Sequence, residues 1–198
     1  LLDAAGGAEA EFSKLAQSYT GASISSFCQD SITVDGKQHS NIEYISGSID
    51  NVPLDDGCID GITCHHSFEH FAQNLDQKFI LESLRLLKPG GKLVIVPLFI
   101  TNIYSEITNL KSYHLHDDSA FLIYDSTASF AGWGPYEGFA RTYDIESFEK
   151  RILSIIPKCH NVSIFSILYK GEPSLNLTKI NYQPSLNALM KALVIEKK

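Results

Sequence analysis

The sequence lacks the features that would assign it to several specialised classes of protein. It holds four cysteines in 198 residues, and no two of them form a C-x-x-C pair, so a disulfide scaffold is not predicted. It has no run of lysines or arginines, and 16 basic against 23 acidic side chains give a net charge of −7. That balance provides no electrostatic footprint for nucleic acid or anionic lipid.

The sequence also lacks a long hydrophobic run. Its longest apolar stretch, Leu93 to Ile100, contains Pro97 and is far shorter than the roughly 20 residues of a membrane span. No signal peptide is recognised, and we expect a protein of the reducing cytoplasm. Because Leu1 and Leu2 already resemble the end of a buried strand, we expect the natural protein to extend further toward its N-terminus.

Apolar strands alternate with amphipathic helices along the first half of the chain. This alternation predicts an α/β fold with a mainly parallel sheet and right-handed crossovers. Predicted strands cover residues 1–4, Ser31–Asp35, Ile42–Ile45, Cys58–Cys64 and Lys92–Val96, and predicted helices cover Glu9–Ser18 and Leu75–Leu87. Pro89-Gly90-Gly91 is expected to end the second helix.

Residues 101–140 have a different character, being rich in tyrosine, phenylalanine, serine, histidine and glycine without a sustained period. About forty such residues favour a functional insertion or lid within a single domain spanning residues 1–198. Regularity returns at Asp144, a good N-cap for a helix that carries Ile145 and Phe148. Two closing strands are predicted at Asn161–Tyr169 and Ala188–Ile195.

Five short segments occur in an order and spacing that resemble class I S-adenosylmethionine-dependent methyltransferases, most closely those that act on small molecules and surface glycans. They are residues 2–7 (LDAAGG), 45–54 (ISGSIDNVPL), 59–62 (IDGI), 67–71 (SFEHF) and 84–93 (LRLLKPGGKL). The resemblance covers about residues 1–97. It implies a doubly wound, mostly parallel Rossmann-like sheet with the last strand antiparallel, and S-adenosyl-L-methionine as cofactor.

The resemblance also implies where the methyl donor binds. The loop after the first strand, with Asp3, Ala5 and Gly7, would approach the donor closely, because small residues leave room for backbone contact. Relatives often have glycine where Ala5 and Glu9 stand.

An acid after the second strand would accept hydrogen bonds from the ribose. We assign this role to Asp35, with Asp30 as its rival. Ser48 and Ile49 would border the adenine, and many relatives have aspartate where Ser48 stands.

Histidines follow the fourth predicted strand, at the expected mouth of the crevice. His65, His66 and His70 are candidate general bases, since imidazole can take a hydroxyl proton near neutral pH. Glu69 is a candidate to assist catalysis by orienting His70, and His65 also borders the donor. No metal site is predicted, because the histidines match no known metal-binding motif.

Candidate acceptor contacts come from the second half of the chain. Trp133, Tyr136 and Tyr143 could stack on a sugar or an aromatic acceptor, although packing under a long loop is the alternative. Arg141 could hold a phosphate or carboxylate through its planar fork.

The function that the sequence favours is methyl transfer to a small-molecule or glycan acceptor, at a hydroxyl oxygen. A non-catalytic methyltransferase-like module that binds a partner is the alternative, because the glycine pattern of the first loop is degraded. A nicotinamide dehydrogenase would need G-x-G-x-x-G, which residues 5–10 (AGGAEA) do not provide. The sequence leaves a homodimer open.

Overall fold

A computed structural model describes residues 1–20, 24–31, 41–129, 137–169, 172–173 and 189–198. Its strands are β1 (Leu2–Ala4), β2 (Ser26–Asp30), β3 (Ile42–Ser46), β4 (Ile59–His65), β5 (Leu87–Ile100), β6 (Ser105–Thr108), β7 (Phe121–Tyr124), β8 (Ala140–Thr142), β9 (Asn161–Ser166), β10 (Leu168–Tyr169), β11 (Glu172–Pro173) and β12 (Leu189–Glu196). Its α-helices are α1 (Glu11–Thr20), α2 (Leu75–Leu86) and α3 (Ile145–Arg151). No helix in these ranges is long and apolar enough to cross a membrane.

The main sheet has the strand order β3-β2-β1-β4-β5-β12-β9. The pairs β1–β2, β1–β4, β2–β3 and β4–β5 are parallel, whereas β12 lies antiparallel between β5 and β9. Strand order reverses between β1 and β4, which opens a crevice at the carboxyl ends of the strands. This topology confirms the predicted doubly wound, mostly parallel Rossmann-like sheet with an antiparallel last strand.

The core lies where the helices cover this sheet. Helix α2 buries Phe79, Ile80 and Leu84, which recur at helical spacing and pack in the same cluster as Leu93 and Ile95 of β5. The helix ends at Leu86, three residues before Pro89, because proline cannot continue the helical hydrogen-bond pattern. The chain then enters β5 directly, so α2 and β5 connect without a loop.

The second strand corrects a prediction. We predicted Ser31–Asp35, but β2 is Ser26–Asp30, whose Asp30 pairs with Ser46 of β3. Its centre is buried at Cys28 and Gln29, so burial by neighbouring strands outweighs the β-branched composition that favoured the later segment. Residues 32–35 lie outside the described part of the chain.

The predicted insertion contains a small three-stranded sheet with the order β7-β6-β8. Its central strand β6 is buried at all four positions, including Glu106. Strands of three or four residues are too short to show a clear period, which explains why the sequence predicted no regular structure here.

Helix α3 begins as predicted, with Asp144 as its N-cap. The Asp144 carboxylate accepts from the Ser147 backbone N–H at 2.8 Å, and the Ser147 hydroxyl accepts from the Asp144 N–H at 3.1 Å. The other Asp144 carboxylate oxygen accepts from the Tyr104 N–H at 3.3 Å, which ties the helix to the insertion.

We expect Asp144→Ala to lower the free energy of unfolding by about 1–2 kcal/mol, because the backbone N–H groups of Ser147 and Tyr104 lose the carboxylate that accepts their hydrogen bonds. Chemical denaturation followed by circular dichroism measures the change. The matched control is Glu149→Ala on the exposed face of the same helix. Equal losses in the two variants would contradict the capping role.

Candidate active site

The loops at the carboxyl ends of β1, β2 and β3 are tied together by hydrogen bonds. The Gly6 N–H donates to the Gln29 carbonyl at 3.1 Å, and the Gly7 N–H donates to Asp30 Oδ2 at 2.8 Å. The Gln29 side chain donates in turn to the Gly47 carbonyl at 2.6 Å. Because parallel strands end at one edge of a sheet, these contacts build one continuous rim.

The first loop has a glycine-like backbone at three positions, although two of these three are alanine. Ala5, Gly7 and Ala10 have φ angles of 52°, 71° and 47°, in the left-handed region. This region costs an L-residue roughly 1–2 kcal/mol, so the surrounding contacts must hold the loop. Gly6 is required for another reason: a Cβ there would lie 2.6 Å from the Asp3 carboxyl carbon.

Asp3 anchors both the loop and helix α1. Its Oδ2 accepts from the Ser13 backbone N–H at 3.2 Å and from the Ser13 hydroxyl at 3.1 Å. Ser13 lies in the first turn of α1, where backbone N–H groups lack helical partners and favour an anion. Asp3 Oδ1 is buried and has no hydrogen-bond partner among the described residues. Burial raises the pKa of Asp3 to about 6.

The acid at the end of β2 is Asp30, the rival to our first assignment. Its carboxylate lies at the rim because it accepts from the Gly7 N–H. Asp35, which we predicted for this role, lies outside the described residues. The strand shift is the reason for the change, since the ribose-binding acid is expected where the second strand ends.

The segment after β3 combines an apolar and an acidic residue. Ile49 is buried in the core cluster, and the Ser48 hydroxyl donates to the Asp50 carboxylate. This hydrogen bond is the main cause that lowers the pKa of Asp50, and Lys78 lies 3.3 Å from the same carboxylate. The sequence analysis did not name Asp50. Many relatives have an aspartate at the position of Ser48, and an aspartate only two residues later was a signal that could have been used.

His65 ends β4 and stacks on Phe12 of α1, with ring centroids 3.9 Å apart. Its Nε2 is buried without a partner among the described residues, and burial lowers the pKa of the imidazole. Neighbouring His66 is exposed and has a φ of 50°. The stack with Phe12 had no signal in the sequence.

Within the described ranges, no three His, Cys, Asp or Glu side chains are grouped so that they could hold a metal ion.

Glu69 and His70 lie in a 3-10 turn directly after β4. His70 Nδ1 lies 2.7 Å from the Phe139 carbonyl oxygen. Because a carbonyl can only accept, Nδ1 carries the proton and Nε2 carries the lone pair. His70 Nε2 is 3.9 Å from Glu69 Oε1, and burial lowers the pKa of this histidine. Burial also raises the pKa of Glu69 to about 7, and Glu69 Oε2 has no partner among the described residues.

Arg141 does not have the role that we predicted. Its side chain is fully buried, and each of its three nitrogens lies within hydrogen-bond distance of protein oxygens. Nε and Nη2 contact Glu106 Oε1 at 2.8 and 2.7 Å, and Nη1 contacts Asp76 Oδ2 at 2.9 Å. Nη1 and Nη2 also donate to the carbonyls of Phe71 and Gln73 at 2.9 and 3.0 Å. Because Arg141 is 1% exposed and is surrounded by these partners, it is an internal residue and not an acceptor contact, so the structure corrects this assignment.

Tyr143 is also an internal residue and not a surface for stacking. It is 1% exposed, and its hydroxyl donates to Asp76 Oδ2 at 2.8 Å. The residue packs against the core aromatic rings, which corrects the predicted acceptor contact. Trp133 and Tyr136, the other predicted contacts, lie outside the described residues.

The rim fits a nucleoside-bearing methyl donor. A Cβ built on Gly7 or Gly47 would meet nothing within 4 Å, so both loops border open space. The rim adds a carboxylate at Asp30, and the buried Asp3 Oδ1 and His65 Nε2 both lack a partner within the described residues. Such groups suit the hydroxyl and amino groups of a ligand.

Comparison with known proteins agrees with this geometry. Residues 2–95 match the family described as a methyltransferase domain. A search of curated protein sequences found no match. Among solved structures, the 1,6-didemethyltoxoflavin-N1-methyltransferase of Burkholderia thailandensis, which contains S-adenosylhomocysteine, is 10% identical with a TM-score of 0.59, and the alignment covers 100% of this chain and 70% of that one.

Two further structures are similar over the whole chain. The PH0226 protein of Pyrococcus horikoshii is 16% identical with a TM-score of 0.59, and a SAM-dependent methyltransferase of Aquifex aeolicus is 15% identical with a TM-score of 0.54. Each alignment covers 100% of this chain and 81% of the other.

Residues 2–95 therefore form a methyltransferase domain on a Rossmann-like sheet. The match over these residues supports a methyltransferase enzyme whose cofactor is S-adenosyl-L-methionine.

We expect Asp3→Asn to stabilise the protein at high pH. The Asp3 pKa is about 6 in the folded state against 3.8 in the reference state, so folding favours the protonated carboxyl and ionisation costs stability. Below pH 4 the variant gains nothing, and above pH 7 it gains roughly 2–3 kcal/mol. Thermal unfolding at pH 4.5 and 7.5 measures the difference. The control is Asp60→Asn at an exposed carboxylate beside Lys88. A gain that is the same at both pH values would contradict the account.

Proposed function

We propose that the enzyme methylates a hydroxyl oxygen of a small-molecule or glycan acceptor, with His70 as the general base. The observation that carries this proposal is the 2.7 Å contact of His70 Nδ1 with the Phe139 carbonyl. It leaves the lone pair on Nε2, in a turn that directly follows β4. The preference for a glycan among acceptors rests on the sequence resemblance.

The donor would be held by the rim residues. Asp30 would accept hydrogen bonds from the two ribose hydroxyls, since a carboxylate has two acceptor oxygens. Ile49 would contact the adenine face, and Ser48 with Asp50 would accept from its amino group. Asp3, Ala5, Gly7 and His65 would border the methionine part, where the unpartnered Asp3 Oδ1 and His65 Nε2 suit its polar groups.

S-adenosylmethionine supplies a methyl group bound to a positively charged sulfur. His70 would hold the acceptor hydroxyl and take its proton while the new O–C bond forms and the C–S bond breaks. Glu69 lies beside the resulting imidazolium and would stabilise it. Positioning contributes up to about 7–11 kcal/mol in favourable systems, and a general base contributes about 10²–10⁴-fold.

The donor assignment is tested by a pair of variants. We expect Asp30→Asn to weaken S-adenosylhomocysteine binding by about 10- to 100-fold, because charge-assisted hydrogen bonds to the ribose are lost. Asp35→Asn should bind as the wild type does. Isothermal titration calorimetry measures both affinities. If Asp35→Asn loses affinity and Asp30→Asn keeps it, our first assignment from the sequence is right.

The base assignment is tested with a panel of free sugars, nucleotide sugars, phenols, amines and thiols as acceptors. We expect His70→Asn to lower the rate of S-adenosylhomocysteine formation by about 10²–10⁴-fold while its Kd for S-adenosylhomocysteine stays within about twofold. The control is His66→Asn, at an exposed histidine just before the turn that carries His70, and its rate should stay close to that of the wild type. Methylation of amines or thiols alone, or full activity in His70→Asn, would contradict the proposal.

A further inference from the structure

Strand β8 and the residue before it contact the Glu69–His70 turn and the residues that follow it. The Phe139 carbonyl contacts His70 Nδ1 at 2.7 Å. The Arg141 guanidinium donates to the Phe71 and Gln73 carbonyls at 2.9 and 3.0 Å. One short segment, residues 139–141, therefore contacts both the base candidate and the chain directly after it.

Arg141 is itself held rigidly. Glu106 and Asp76, both fully buried, pair with it, and its guanidinium carbon lies 5.3 Å above the Phe139 ring. A buried charge is tolerated only when its donors are paired in good geometry. The planar fork of arginine fixes the direction of each N–H, so the two carbonyls are held at defined positions.

We propose that Arg141 is a positioning residue that, through the Phe71 and Gln73 carbonyls, keeps His70 aligned with the Phe139 carbonyl and therefore keeps its proton on Nδ1. This inference rests on the proposed role of His70 as base. Arg141 itself is 1% exposed and its partners are protein groups. It acts on the chain that follows the Glu69–His70 turn, and the position of that turn fixes the orientation of His70.

The chain offers a matched comparison in Arg85. That side chain also donates to two backbone carbonyls, of Val52 and Leu54, at 3.0 and 2.8 Å, and pairs with Glu82. Arg85 lies near the C-terminal end of α2 and holds the loop at residues 52–54. Asp76, the partner of Arg141, lies near the N-terminal end of the same helix. If Arg141 only stabilised the fold, Arg141→Lys and Arg85→Lys would both lower stability, and neither would change the tautomer of His70.

The tautomer of His70 is measured by NMR on protein labelled with ¹⁵N at histidine, with assignment from His70→Asn. We expect the wild type to show a protonated Nδ1 and an unprotonated Nε2 above pH 7. Arg141→Lys should give a mixture of tautomers and an activity about tenfold lower or more, since lysine cannot supply the same fork. Its Kd for S-adenosylhomocysteine should stay within about twofold. Arg85→Lys should leave the His70 signals unchanged.

Several outcomes would overturn the proposal. A wild-type His70 with its proton on Nε2 overturns it without any variant, as does an unchanged tautomer in folded Arg141→Lys. If Arg141→Lys does not fold by circular dichroism, Glu106→Gln takes its place, because it keeps Arg141 but weakens its anchor, and the same shift is expected. A tautomer shift in a variant that keeps full activity would support the positioning but refute His70 as base.

Discussion

The hydrogen-bonded Asp3 carboxylate is the interaction on which the rim at the carboxyl ends of β1, β2 and β3 depends. It holds the first turn of α1 through Ser13, and it lies so close to Gly6 that the loop must pass directly over it. That path brings the Gly7 N–H to Asp30 at the end of β2. One buried carboxyl group therefore links the positions of the helix, the loop and the Asp30 carboxylate at the end of β2.

The cost of this arrangement explains the unusual residues of the loop. A buried carboxylate is expensive unless it is hydrogen-bonded, and only one of the two Asp3 oxygens has a partner among the described residues. The left-handed backbone at Ala5 and Ala10 adds strain that glycine would avoid. Strained backbone of this kind persists where surrounding contacts hold it, and it is common in ligand-binding loops. The strain therefore agrees with the proposed role of this loop in ligand binding.

Much of the fold could be predicted from the sequence because its signals are local. Helix α2 has apolar residues at helical spacing and ends before Pro89, and Asp144 has the side chain of an N-cap. Strand β2 could not be placed, because its burial comes from neighbours and not from its own composition. The roles of Arg141 and Tyr143 were also wrong, since their partner Asp76 lies more than sixty residues earlier in the chain.

The candidate site shows the same division. The family motifs pointed to Asp3, Gly7, Glu69 and His70 as candidates, but a backbone carbonyl such as that of Phe139 leaves no trace in a sequence. The only sequence signal for Asp50 was its nearness to Ser48, the position at which many relatives have aspartate. Residues that act through tertiary contacts require the structure.

The crystal structure of the protein with S-adenosylhomocysteine tests the central claim most directly. We expect both ribose hydroxyls to lie within hydrogen-bond distance of Asp30, roughly 2.5–3.0 Å, with the adenine beside Ile49. A nucleoside bound away from the carboxyl ends of β1 and β2, or a ribose held by another acid, would contradict it.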